Sequence, residues 1–84
     1  MDNFYTIVEN AQINQLNLKL GKRYREYLQA IQSGNRLAQN NILKTLLDEC
    51  RSKENLSAVA RKFVEEKLKI SYRNLLLMKR HRLI

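Results

Sequence analysis

The chain has 84 residues, with sixteen Lys and Arg against eight Asp and Glu, no Pro or Trp, two Gly, one Cys and one His, and a formal net charge of +8. That length has room for one domain (1–84) with a modest core, so a two-domain enzyme is not expected. One Cys excludes an internal disulfide and suits a reducing compartment, and one Cys with one His cannot supply a four-ligand zinc site. Hydrophobic residues make up 44% of the chain, a globular proportion rather than that of a disordered basic tail. The longest apolar run, Leu75-Leu76-Leu77-Met78, is far short of the ~20 residues that span a bilayer. Met1-Asp2-Asn3 carries no basic n-region and no apolar h-region follows, so a soluble, intracellular protein (cytoplasmic, or nuclear in a host cell) without a signal peptide is expected.

Sparse turn residues argue against an all-β fold, while the abundance of Leu, Lys, Arg, Gln, Glu and Ala predicts an all-α one of three to four helices. The first helix starts after Asp2 or Asn3, either of which can cap it. Ile13, Leu16, Leu20, Tyr24, Tyr27 with Leu28, and Ile31 follow in steps of three and four and share one face. The phase survives Gly21, which predicts one long helix through that glycine, used for close approach of another helix. A break there is the alternative. Gly34 suits a helix C-cap.

A second helix is predicted from about Arg36 to Arg51, with Leu37, Ile42, Leu43, Leu46, Leu47 and Cys50 inward. A third starts between Asn55 and Ser57 and carries Leu56, Val59, Ala60, Phe63, Val64 and Leu68. Its apolar rows fail near Ile70, and Ser71 with Asn74 predicts the start of a short fourth helix, with residues 79–84 as a frayed basic tail. A first helix of about 30 residues would be roughly 45 Å long, more than this domain needs. Phe4, Tyr5, Ile7, Val8 and Ala11 would then lack a partner within the chain, and Phe4, Ile7, Val8 and Ala11 would meet a second copy in a helical homodimer. A shorter first helix folded back on the rest is the alternative.

Charge is unevenly spread. Residues 1–18 hold Asp2 and Glu9 and no base, whereas residues 67–84 hold Lys67, Lys69, Arg73, Lys79, Arg80 and Arg82 and no acid. A second basic cluster is Lys19, Lys22, Arg23 and Arg25. Elsewhere acids sit four residues from bases, as in Lys44/Asp48, Glu49/Lys53, Arg61/Glu65 and Lys62/Glu66, each pair worth a few tenths of a kcal/mol. Lys22 can pair with Glu26 and Lys69 with Glu65, but Lys19/Arg23 and Lys69/Arg73 repel. Tyr24 and Tyr27 lie in the first cluster, in phase with the core, and Tyr72 lies in the second. Basic residues interleaved with aromatics suit phosphates and bases.

The segment from Leu56 onward invites comparison with a helix-turn-helix, in which Arg73 and Asn74 could read base edges. The glycine usual in that turn is missing. Catalytic chemistry is not indicated. Cys50 and His81 fall on different predicted elements, adjacent carboxylates such as Glu65-Glu66 diverge on a helix, and no glycine loop cradles a phosphate. No cofactor or metal is implied.

The function expected first is therefore non-enzymatic nucleic-acid binding, RNA slightly before DNA. The contacts would be Lys19, Lys22, Arg23, Arg25, Lys67, Lys69, Tyr72, Arg73, Lys79, Arg80 and Arg82. The alternative is a protein-interaction module (adaptor, inhibitor or assembly factor) that binds through the apolar N-terminal face, with the basic tail steering it to an acidic protein. Attachment of residues 75–84 to an anionic membrane surface ranks below both.

Overall fold

The computed structural model describes the backbone of residues 3–52 and 54–84, and the side chains of 7–52 and 55–84. Among these residues there are four helices and no strand: α1 (Asn3–Gln32), α2 (Arg36–Cys50), α3 (Glu54–Leu68) and α4 (Tyr72–Arg80). α1 runs unbroken through Gly21, as the phase of its apolar residues requires, and a shortened, folded-back first helix is excluded. It sets the 50 Å long axis of the molecule.

The ends of the helices are chemically defined. After α1, Gly34 takes a φ of +68°, its amide donates to the Ile31 carbonyl, and the Asn35 amide donates to the Ala30 carbonyl at 2.9 Å. That pair of bonds is the Schellman closure, which favours a residue without a Cβ at the left-handed position. Asn35 then caps α2, its side chain accepting from the Ala38 amide at 3.0 Å. Ser71 caps α4 in the same way, accepting from the Asn74 amide at 3.1 Å. The C-terminal residues do not form the frayed tail anticipated from their charge. Arg82 adopts a φ of +58°, its amide donates to Lys79, the Leu83 amide donates to Met78, and Ile84 packs against the core.

Contacts along the helices give their directions. The Gln39 amide reaches the Ala30 carbonyl and Lys19 reaches Glu49, so α1 and α2 are antiparallel. Asn55 donates to Glu9, and Tyr24 meets Phe63 edge to face, so α1 and α3 run the same way. α2 and α3 each touch the other three helices, whereas α1 and α4 do not touch each other among the described residues. α1 and α4 therefore occupy opposite sides of the α2–α3 pair. The core lies between them and consists of Leu16, Leu20, Leu43, Leu46, Leu47, Cys50, Ala60, Val64 and Leu75.

Four further expectations fail for identifiable reasons. Leu37 is 72% exposed. At 100° per residue it lies about 80° outside the arc that Ile42, Leu43, Leu46, Leu47 and Cys50 turn inward. Leu28 is exposed because it sits at the edge of the α1 face, while Ala30 takes the buried position opposite α2. Ile31 is in phase but exposed: α3 ends five residues after Phe63, so the last turn of α1 has no neighbour on that side. Gly21 does not admit another helix. A Cβ there would meet only the Arg25 guanidinium, at an ordinary 3.5 Å.

This glycine therefore weakens α1 without a packing return. Gly21→Ala should stabilise the protein by about 0.5–1 kcal/mol and raise the melting temperature by several degrees, measured by circular dichroism. A loss of stability would mean that Gly21 is needed for a contact outside the chain.

Candidate nucleic-acid interface

The two basic clusters differ once folded. In α1, Lys19 pairs with Glu49 at 2.7 Å and Arg23 with Glu26 at 3.1 Å. Glu26 thus serves Arg23 rather than Lys22, and the Arg23 Nε is buried without a partner. Lys22 and Arg25 are exposed and, among the described residues, make no ion pair. The first cluster therefore offers two unpaired cations rather than four.

The second cluster is uncompensated throughout. Lys67, Lys69, Arg73, Lys79, Arg80 and Arg82 are all exposed, and none makes an ion pair among the described residues. Of the mid-chain pairs only Lys62–Glu66 is present, at 4.0 Å. Glu49 has turned to α1, while Lys53 lies outside the described residues. Lys69, at the end of α3, takes a φ of +60°. Left-handed backbone costs a residue with a Cβ roughly 1–2 kcal/mol. Two cations, Lys69 and Arg82, thus bracket α4 at positions where glycine is less strained.

The three tyrosines of the clusters, Tyr24, Tyr27 and Tyr72, all make contacts within the fold. Tyr24 packs on Phe63 with ring centroids 6.1 Å apart, and Tyr27 packs against the core. Tyr72 is half-buried, and the Arg61 guanidinium lies 4.0 Å from its ring centroid, so one ring face is already occupied. Arg61 also donates its Nε to the Cys50 carbonyl at 3.0 Å. It joins α3 to the end of α2 and to α4, a role hidden in the sequence behind its spacing from Glu65.

A groove of about 210 Å³ between α1 and α3 is lined by Asn17, Val59, Lys62, Phe63 and Glu66, and its two charges already pair with each other. No group of three His, Cys, Asp or Glu is placed to hold a metal among the described residues. Nor is any helix of these residues long and apolar enough to cross a membrane. Leu75 is fully buried, and Leu76 and Met78 pack against the core, which removes most of the apolar surface that a membrane-bound α4 would insert. Comparison with protein-family models, with curated proteins and with solved structures finds no match.

Cys50 lies in the core, and burial pushes its thiol up to about 11, opposed by the nearby Arg61 charge and reinforced by Glu49. The unfolded thiol ionises near pH 9 and the folded one near 11. Stability linked to this group is complete below pH 9 and is lost as pH rises through that window. Denaturant titrations at pH 8 and pH 10.5 should show a fall in unfolding free energy that is about 2 kcal/mol smaller in Cys50→Ala than in the parent chain. Equal falls would place the thiol in contact with water.

Proposed function

We propose that the protein is a non-enzymatic nucleic-acid-binding protein that grips phosphates through α4 and the turns at its two ends. The observation that carries this reading is the pairing of strain with charge. Six cations without an acid surround one short helix, and two of them hold left-handed backbone that glycine would adopt at lower cost. Such strain together with like-charge repulsion lowers stability, and anionic phosphates would relieve the repulsion. Lys22 and Arg25 form a separate and smaller patch on the opposite side of the molecule. A free Cys50 suits a reducing intracellular setting.

Fluorescence anisotropy with labelled duplex DNA, duplex RNA and single-stranded RNA tests the proposal. Binding should fall steeply with salt, and each phosphate contact removed should lower the log–log slope by about 0.7–0.9. Arg73→Glu with Arg80→Glu should weaken binding at least about tenfold at near-physiological salt, and the same reversal at Lys22 and Arg25 should do much less. No binding of any of the three at low salt would defeat the reading.

A protein-interaction surface is the second reading, favoured by the outward face of α1. Ile7 (66% exposed), Val8 and Leu18 (75%) are exposed large apolar residues, with Ala11 beside them. The Phe4 side chain, assigned to the same face from sequence, lies outside the described residues. A second copy of α1 is the simplest occupant, giving a homodimer. Sedimentation velocity should then show a dimer that Ile7→Gln with Leu18→Gln converts to monomer without loss of helicity. A parent chain that is monomeric at about 100 μM, far above the dissociation constants of stable interfaces, would exclude it.

A further inference from the structure

We infer that α2, α3 and α4 form a helix-turn-helix unit whose last helix enters the major groove of duplex DNA, with Arg73, Asn74 and Leu77 at the base edges. This inference rests on the nucleic-acid reading above and narrows it to one ligand.

The connection from α3 to α4 is residues 69–71, the three-residue length typical of that motif. Its missing glycine was the sequence argument against the motif and in favour of RNA. Lys69 removes that argument by supplying the left-handed backbone itself, at a φ of +60°. Ile70 then packs against the core, and Ser71 caps the next helix. Val64, Leu68, Ile70, Leu75 and Met78 all pack into one core across the turn, fixing α4 on α3. α2 supports both helices from the other side, which completes a three-helix unit.

The free face of α4 has the composition that base reading requires. Arg73, Asn74, Leu77 and Arg80 are exposed and fall within an arc of about 120° at 100° per residue. Arginine matches the paired acceptors of guanine, asparagine matches the acceptor and donor of adenine, and an exposed leucine suits the thymine methyl group. Nine residues give α4 a length of about 13 Å, and the B-form major groove, about 12 Å wide, admits a helix. The deep, narrow major groove of an RNA duplex does not. Lys69 and Arg82, at opposite ends of α4, are placed for the flanking phosphates.

Selection by the full chain from duplex DNA carrying a random core of about 20 base pairs tests this, followed by anisotropy on the selected site, a scrambled duplex and a duplex RNA. An enriched motif containing guanine and adenine is expected. Arg73→Ala and Asn74→Ala should each lose about fivefold to a hundredfold more on the selected site than on the scrambled duplex. Lys69→Asn keeps a residue that tolerates left-handed backbone, so it should weaken both duplexes by the same factor. Circular dichroism of each variant guards against unfolding. Binding without enrichment, or RNA duplex bound as tightly as the selected DNA, would overturn the inference and leave the nucleic-acid reading standing. Failure to bind any of the three at about 50 mM salt would overturn both.

Discussion

The structure depends on the burial of the inward face of α2. Ile42, Leu43, Leu46, Leu47 and Cys50 span about 140° of that helix, wider than a single neighbour can cover. Leu46 and Leu47, adjacent in sequence, point about 100° apart and are both fully buried. Only a helix packed on several sides can bury such a pair, and α1, α3 and α4 supply those sides. Each leucine removed from water contributes about 1.5–3 kcal/mol, so this face holds a large share of what stabilises so small a chain. The helix is also polar where it should be: Lys44 and Asp48 lie outside the arc and are exposed.

α4 shows what that support makes possible. Nine residues are too few for an isolated helix in water, where about 12–15 are marginal. Its helical state therefore derives from Leu75 in the core, from the Ser71 cap, from Arg61 against Tyr72 and from the closing turn at Arg82. Once the inward side carries the stability, the outward side is free to be chosen for something else. The choice made there, cations without acids and two left-handed positions without glycine, lowers stability. A stretch that loses stability locally while the rest of the core is well packed is where a function is reasonably sought.

Local signals were legible in the sequence and neighbours were not. The unbroken phase of α1, the Gly34 closure, the break near Ile70 and the Ser71 start all follow from spacing or from the chemistry of a single residue, and all are present. Leu37 could have been placed outward from its angle alone. Ile31 could not, because its exposure depends on where α3 stops, which is a property of a different segment. The same division applies to the candidate site. The excess of charge in residues 67–84 is visible at once. The neutralisation of Lys19 is not, since Glu49 comes from another helix thirty residues on. Backbone angles are less legible still: nothing in Lys69-Ile70-Ser71 announces that a lysine will occupy the left-handed position.

The placement of the two cationic patches bears on how a ligand would be held. α1 and α4 flank the α2–α3 pair on opposite sides, so their axes do not pack against each other. A duplex lying against the outer face of α4 would face away from α1, and so from Lys22 and Arg25. Lys19 and Arg23 are paired with Glu49 and Glu26. The sequence shows two basic clusters of one sign and does not say whether they share a surface. The fold separates them, so a single copy on duplex DNA would draw its electrostatic affinity from residues 67–82. The outer face of α1, which carries Ile7 and Leu18, then stays free to bind a second copy while α4 is engaged.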